Sequence, residues 1–332
     1  MTSKRIVKIT FPFILLLGVY FLGPTPSKPI FSLTKPTVPA DADGLEKYIA
    51  AQELQHAIKP GNGAEIVWND SSRQKTPYAI VYLHGFSACK VEGDPIHKRF
   101  AKAFGANLYL PLLADHGVDT TETLLLYTAD RSWESAKDAL AIGKQLGEKV
   151  ILVSTSTGGT LALKLAAEYP SDVFALVNLS PNIAINDPAA FLLNNPYGLY
   201  IARTVLGGNY RTTGATPEAA KYWNKKYRIE ALTQLEELIE DTMTKETFQR
   251  VTQPSLTLYY FKNEKEQDPE VKVSAMLTMN EQLGTPANLK SAIAFPNAGA
   301  HVIGSSMTSK DLEGVYAAME KFASETLKME KR

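Results

Sequence analysis

The chain has 332 residues, of which 45% are hydrophobic and 21% are charged, proportions typical of a globular protein with a sizeable core. Lysine plus arginine and aspartate plus glutamate both total 35, so no net field attracts nucleic acid or another polyanion. The single cysteine, Cys89, excludes an intramolecular disulfide and any multi-cysteine zinc site.

The N-terminal region is typical of a targeting segment. Three basic residues precede a charge-free run of 15 residues from Ile9 to Gly23, as in a secretory signal or a signal-anchor. We expect residues 1–23 to be an uncleaved membrane anchor rather than a cleaved signal, with the catalytic part on the non-cytoplasmic side. Five prolines between residues 24 and 39 then predict an extended linker over residues 24–44.

From about residue 45 onward, strand-type and helix-type segments alternate, which favours an α/β fold with a mostly parallel sheet covered by helices. Apolar runs rich in strand formers predict buried strands, at residues 78–83, 106–112, 150–153, 173–177, 255–261 and 291–295. Apolar spacing predicts helices, at residues 133–146, 162–169, 271–283 and 311–328.

One long interval, residues 182–254, interrupts this alternation and contains no convincing strand. Because it is too long for a structureless loop, we predict an inserted helical cap between two parts of the core, residues 45–181 and 255–332. Its apolar residues would line an acyl pocket or form the cap's own core: Phe191, Leu192, Leu193, Tyr197, Leu199, Tyr200 and Ile201.

Residues 150–160 carry the strongest indication of chemistry. A buried strand runs into Ser154-Thr155-Ser156-Thr157-Gly158-Gly159 and then into a helix. A nucleophile elbow needs this context, because its serine sits on a strained turn and small neighbours let strand and helix approach closely. Ser154 replaces the first glycine of the usual Gly-x-Ser-x-Gly pattern, and Gly158 keeps the second. We predict Ser156 as nucleophile, the alternative being a turn without chemistry.

A serine hydroxyl needs a base in reach, and that base needs an acid to orient it. In elbow hydrolases both follow the serine, the acid before the base. His301 is the only histidine after Ser156 and is therefore the predicted base. Asp268 is the favoured acid, since a short proline-containing turn leads from it into a helix, and Glu266 is the alternative.

The developing oxyanion needs hydrogen-bond donors. One is expected from the backbone N–H of Thr157, directly after the nucleophile. The other is expected from the loop that follows strand 78–83, where Gly85 can turn tightly and direct the Phe86 N–H into the site. We expect His84 to support that loop by hydrogen bonding.

No comparable sequence pattern indicates a metal site or a cofactor site. His84, His97, Asp115 and His116 are scattered without a metal-binding spacing, and the turn at Ser156 lacks the lysine of a phosphate-binding loop. The sequence therefore predicts neither a metal nor an organic cofactor.

These segments together resemble the α/β-hydrolase superfamily, in particular its monoacylglycerol lipase and carboxylesterase-like branch with serine aminopeptidase-like relatives. The resemblance rests on residues 83–86, 111–117, 154–159, 268–271 and 299–301. It implies an α/β-hydrolase fold with an inserted helical cap, a Ser156–Asp268–His301 triad and an oxyanion hole at Phe86 and Thr157. Ser154 departs from the family's usual glycine, and Asp115 stands where a small residue is common.

The expected activity is that of a serine hydrolase acting on a small-molecule carboxylic ester. A lipid-derived, monoacylglycerol-like ester suits an enzyme held at a membrane through its N-terminal segment. A peptidase or amidase with the same triad and a non-catalytic binding module are the alternatives. The sequence does not determine the acyl chain length, the oligomeric state or whether the anchor is cleaved.

Overall fold

The computed structural model describes residues 18–214 and 216–332, and its centre is a seven-stranded sheet. The strands of the described chain are β1 (Glu65–Val67), β2 (Thr76–Leu83), β3 (Asn107–Leu110), β4 (Gly147–Thr155), β5 (Val173–Leu179), β6 (Tyr210–Thr212), β7 (Lys226–Arg228), β8 (Ser255–Tyr259), β9 (Phe261–Asn263), β10 (Glu266–Gln267) and β11 (Lys290–Ala294). The central sheet has the order β1-β3-β2-β4-β5-β8-β11. Its pairs are parallel except β1 with β3.

Helices cover both faces of this sheet. They are α1 (Ala42–Glu53), α2 (Ile96–Ala103), α3 (Ala129–Leu146), α4 (Thr157–Glu168), α5 (Gly198–Leu206), α6 (Glu230–Thr242), α7 (Lys245–Arg250), α8 (Val273–Gln282) and α9 (Leu312–Lys321). Strand β2 shows the layering: Val81 and Leu83 pack with α3 and α4, whereas Ile80 and Tyr82 pack with α2 and α9. A strand covered on both faces needs apolar residues throughout, which explains its continuous apolar run.

All six predicted strands are confirmed, with both ends within three residues of the prediction. Helix α3 begins at Ala129, four residues earlier than predicted, because the Thr128 hydroxyl accepts a hydrogen bond from the Arg131 N–H and caps it. Helix α4 begins at Thr157 rather than at 162, so the glycines of the serine turn belong to its first turn. Helix α9 ends at Lys321 and passes into a π-helical turn.

The interval 182–254 contains α5, α6 and α7, but the expectation that it has no strand was wrong. Strands β6 and β7 form an antiparallel pair. Both have three residues and no apolar alternation, so the sequence gives no strand pattern. Contacts from outside the pair support it: Glu122 accepts hydrogen bonds from the Tyr210 hydroxyl and from Arg228.

The buried core of this interval also differs from the candidates in the sequence. Leu124, Tyr127, Tyr227, Ala231, Leu235 and Ile239 form it, with the half-buried Phe86 against them. None of the seven apolar residues between 191 and 201 is fully buried, and Phe191 and Tyr200 are more than half exposed.

The proline-rich segment before α1 has no regular secondary structure over residues 24–39, and it packs along the body rather than standing free. We call residues 28–37 the strap. Its backbone carbonyls accept hydrogen bonds from side chains of α3 and the end of α4: Ser32 from Trp133 at 2.7 Å, Thr34 from Lys137 at 2.8 Å and Leu33 from Tyr169 at 2.9 Å. Lys35 pairs with Asp172, and the Phe31 ring lies edge-on to Trp133. These contacts fix the path of the chain towards its N-terminus.

The predicted anchor, residues 1–23, lies mostly outside the described residues, which begin at Gly18. Within the described chain, no helix is both long enough and apolar enough to cross a bilayer.

The strap predicts a dependence of stability on residues before α1. A protein spanning residues 41–332 should melt several degrees below one spanning residues 24–332, because it exposes Trp133 and leaves Lys137 without its carbonyl. Each kcal/mol lost lowers the melting temperature of a domain this large by roughly 2 °C. Differential scanning calorimetry of both proteins measures the shift, and equal melting temperatures would contradict a stabilising strap.

Candidate active site

Ser156 occupies the sharp turn between β4 and α4. Its backbone has φ 54° and ψ −121°, a region that residues with a side chain rarely adopt and that needs support from outside. The support comes from two hydrogen bonds: the Ser156 N–H donates to the Leu179 carbonyl at 3.1 Å, and its carbonyl accepts from the Asn182 N–H at 2.9 Å. The turn is therefore the strained strand-to-helix elbow that the sequence predicts.

Gly158 and Ser154 explain how the elbow packs. A side chain at Gly158 would collide with the Leu83 carbonyl, so only glycine lets α4 approach the end of β2 this closely. A side chain at Gly159 would meet Pro181. Ser154 stands where a glycine was expected, and its hydroxyl donates to Asn178 Oδ1 at 2.9 Å across β4 and β5. The hydroxyl is thus satisfied and leaves the elbow intact.

Asp268 and His301, which follow β10 and β11 in the chain, meet directly. Nδ1 of His301 lies 2.7 Å from Oδ2 of Asp268. The other oxygen, Oδ1, accepts from the N–H groups of Glu270 and Val271 at 2.9 and 3.1 Å. Burial raises the pKa of Asp268, but His301 and the two amides outweigh burial and leave that pKa below its ordinary value. Glu266, the alternative acid, lies exposed in a pair with Lys262.

His301 differs from the buried histidines. Burial is the main cause that lowers the pKa of His84 to about 3 and of His97 and His116 to about 4. Burial also acts to lower the pKa of His301, but the charge and hydrogen bond of Asp268 raise it above the ordinary value. His301 is thus a half-buried imidazole whose surroundings favour taking up a proton, as a general base requires.

The loop after β2 carries the predicted oxyanion donor and is held from below by His84. The Leu113 N–H donates to Nε2 of His84 at 3.0 Å, so Nδ1 carries the proton and donates to the Gly85 carbonyl at 2.9 Å. The carbonyl and N–H of a trans peptide point in opposite directions. Fixing the Gly85 carbonyl therefore directs the Phe86 N–H away from His84, which agrees with a supporting role for His84.

The two predicted oxyanion amides are available in the described chain, residues 18–214 and 216–332. Neither the Phe86 N–H nor the Thr157 N–H donates to a protein acceptor there. Thr157 is the first residue of α4, where N–H groups lack intrahelical partners and the helix dipole favours negative charge. The Phe86 ring lies edge-on to Tyr127 and Tyr227, which ties the oxyanion loop to the buried core of interval 182–254.

Asp115 does not place a free carboxylate in the site. Both its oxygens pair with Arg131, at 2.7 and 2.9 Å. The neighbouring His116 ring packs edge-on against His84 and Phe86 and so supports the oxyanion loop from the side.

Glu92, which was not predicted from the sequence, is 2% exposed and contacts the oxyanion loop. Its Oε2 accepts a hydrogen bond from the Gly85 N–H at 2.6 Å. Burial raises the pKa of Glu92 to about 7, against the lowering effects of the Gly85 amide and of His301. A lone glutamate between Cys89 and Pro95 has no distinguishing motif, so only the folded structure reveals it.

A strained serine turn, a histidine–aspartate contact and two free amides thus follow the strands of a mostly parallel sheet. The family model for the alpha/beta hydrolase fold matches residues 78–299, and the chain belongs to that family. The predicted fold class is thereby confirmed. No curated protein matches the chain.

Several solved structures share the fold at low sequence identity. The metagenome-derived lipolytic enzymes LipS and LipT give a TM-score of 0.62 at 16% identity, covering 80% of this chain and 98% of that one. A monoacylglycerol lipase from Paleococcus ferrophilus gives 0.57 at 15%, covering 79% and 98%. Est1E from Butyrivibrio proteoclasticus, bound to ferulic acid, gives 0.53 at 18%, covering 80% and 95%. These likenesses show that the chain shares its fold with them.

The Asp268–His301 pair predicts a specific change on substitution. In Asp268→Asn the amide keeps the shape of the side chain but removes the charge that raises the pKa of His301, so this pKa should fall below its wild-type value. NMR titration of the imidazole protons measures it, and Glu266→Gln, in the exposed pair, is the matched control. An unchanged His301 titration in Asp268→Asn would show that the carboxylate does not control the base.

Proposed function

We propose that the protein is a serine esterase in which Ser156 is the nucleophile, His301 the general base and acid, and Asp268 the residue that orients His301. The observation that carries this proposal is the 2.7 Å contact between His301 and Asp268 at the same sheet edge as the strained Ser156 turn. Strain at a residue and a base oriented by a buried acid are costly features that a purely structural turn does not need.

The proposed reaction has two halves. Ser156 Oγ attacks the acyl carbonyl carbon of the ester while Nε2 of His301 takes the hydroxyl proton, and the imidazolium is stabilised by Asp268. The carbonyl oxygen becomes an oxyanion that accepts from the Phe86 and Thr157 amides. Collapse breaks the ester bond, and the alcohol leaves with the proton from His301. His301 then takes a proton from water, and the hydroxide attacks the acyl carbon of the acyl-enzyme. The bond to Ser156 Oγ breaks, the acid is released, and His301 returns the proton to Ser156.

The surroundings of the oxyanion loop support an apolar acyl group. Phe86 and Ile185 are half-buried beside the loop and pack on a buried cluster that contains Leu124, Tyr127 and Tyr227. Apolar surface next to an oxyanion hole favours esters of apolar acids, since burying a CH₂ group stabilises the complex by ~0.8 kcal/mol.

The first test compares wild type with Ser156→Ala, using residues 24–332 so that the strap is kept. A fluorophosphonate probe should label wild type only, and turnover of p-nitrophenyl esters should fall by several orders of magnitude, to roughly 10³–10⁴-fold over water. Ser180→Ala is a matched control, because Ser180 also has a positive φ of 45° after the neighbouring strand β5.

The outcomes distinguish the rival functions. Labelling with turnover of amides but not of esters would favour a peptidase or amidase. Folded wild-type protein that is neither labelled nor active would overturn the proposal in favour of a binding module. The rate profile across chain lengths measures the size of the acyl pocket.

The esterase is further proposed to be held at a membrane, with its catalytic part on the non-cytoplasmic side. The Tyr197 N–H, directly before α5, donates to the Pro24 carbonyl at 2.9 Å, and its hydroxyl donates to the Val19 carbonyl at 3.2 Å. The apolar segment thus ends beside α5. Helix α5 exposes Tyr200 (56%), Ile201 (39%) and Val205 (78%), and the adjoining segment exposes Phe21 (68%) and Leu22 (87%). These residues form one apolar surface that suits contact with lipid.

The exposed apolar residues of α5 predict that introducing negative charge there weakens binding to lipid vesicles. In the full-length protein, Ile201→Glu with Val205→Glu should weaken flotation with phosphatidylcholine vesicles, since each carboxylate must be desolvated at the interface. Turnover of a soluble ester should stay near wild type. Leu54→Glu, an equally exposed leucine at the end of α1 (86%), is the matched control. Unchanged flotation in the double variant would overturn contact through α5, and protection of the domain from external protease in intact cells would overturn the assigned side.

A further inference from the structure

The buried carboxylate behind the oxyanion loop has a geometry that the proposed triad does not require. Glu92 lies in the turn Lys90–Gly93 and is 2% exposed. A side chain added at Gly85 would lie 2.8 Å from Glu92 Oε1 and 3.1 Å from Ser156 Cβ. The carboxylate and the serine therefore approach the same point beside Gly85, in a space that a larger residue at this position would occupy.

We propose that Glu92 is a positioning residue that holds the oxyanion loop in its working geometry through the Gly85 N–H. The inference rests on the proposed esterase function, since it concerns the amide that stabilises the oxyanion. It assigns a second carboxylate to the site, one that contacts the oxyanion loop through the Gly85 N–H.

Both peptide groups flanking Gly85 are fixed by side chains. Glu92 Oε2 accepts from the Gly85 N–H at 2.6 Å, which holds the peptide before Gly85. His84 Nδ1 donates to the Gly85 carbonyl at 2.9 Å, which holds the peptide after it. The second of these peptides carries the Phe86 N–H. Glycine is free to rotate about both bonds, so without Glu92 one of the two restraints on this donor is lost.

Glu92 also connects the oxyanion loop to the Ser156 turn through hydrogen-bond contacts. The Tyr82 hydroxyl lies 3.2 Å from Glu92 Oε2 and 2.9 Å from Thr155 Oγ1. Thr155 directly precedes Ser156. One chain of contacts therefore runs from the loop that carries the Phe86 donor to the residue before the nucleophile. A catalytic geometry needs both partners held within about 0.5 Å, and this chain relates one to the other.

The charge of Glu92 also acts on His301. Glu92 faces Tyr82, Cys89 and His301, and each of these groups interacts with it electrostatically. His301 in turn faces three carboxylates: Asp268, Glu270 and Glu92. Among them, Glu92 approaches from the side of the oxyanion loop. An ionised Glu92 raises the pKa of His301 and favours the imidazolium that forms as the serine is deprotonated.

The test uses Glu92→Ala and Glu92→Gln in the protein spanning residues 24–332. Loss of an oxyanion donor costs roughly 10²–10³-fold in kcat, so a displaced donor in Glu92→Ala should cost about 10- to 100-fold, with KM changed by less than about threefold. Glutamine keeps an acceptor for the Gly85 N–H and should restore kcat to within about tenfold of wild type. Asp138→Asn is the matched control, because Asp138 is also a carboxylate that accepts from a tyrosine hydroxyl, Tyr48 at 2.7 Å.

Two further readouts separate positioning from mere stability. Affinity for a boronic acid, which forms a tetrahedral adduct on serine, should fall in parallel with kcat. The acid limb of kcat/KM should move to lower pH in Glu92→Gln, because the carboxylate that raises the pKa of His301 is gone. Thermal melts identify a variant that fails to fold, and Glu92→Gln carries the test in that case.

Folded variants that keep wild-type kcat and boronic acid affinity would overturn the role of Glu92, as would a loss of kcat with unchanged boronic acid affinity. In either case the labelled, active wild type leaves the esterase proposal intact. A wild type that is neither labelled nor active overturns both proposals.

Discussion

The close contact between the end of β2 and the first turn of α4 is the constraint on which the site depends. The Leu83 carbonyl occupies the space that a side chain at Gly158 would need. Because the oxyanion loop follows Leu83 directly and Ser156 directly precedes α4, this contact brings the two together before any side chain contributes. The acid and the base reach the same edge through the parallel order of β4, β5, β8 and β11.

Features encoded by local pattern were predictable from the sequence. The buried strands are continuous apolar runs. The catalytic roles of Ser156 and His301 stay predictions, drawn from an elbow pattern and from the only histidine after it. Asp268 also needed the proline-containing turn to be favoured over Glu266. The fold class was correct for the same reason, since alternating elements leave few other architectures.

Features created by tertiary contacts were not predictable. Strands β6 and β7 depend on Glu122, which lies almost ninety residues before Tyr210 in the chain. The strap is held by side chains of Trp133 and Lys137 that a proline-rich composition does not reveal. Glu92 contacts Tyr82 and the Gly85 N–H only when the oxyanion loop has folded against it. For the two strands and the strap the partner is distant in sequence, so no window of neighbouring residues contains the information. The Gly85 partner of Glu92 is only seven residues away, but no sequence pattern marks a contact between a side chain and the backbone.

The strap shortens the free length of the segment before α1. A free linker of sixteen residues would have an r.m.s. reach of roughly 20–24 Å and would let the body turn in any direction. With the strap bound along α3 and the end of α4, most of that length is consumed as fixed path. Residues 24–39 therefore add little free length between the body and the chain that precedes them, and a tether attached there would restrict rotation of the body more than a free linker of the same length would.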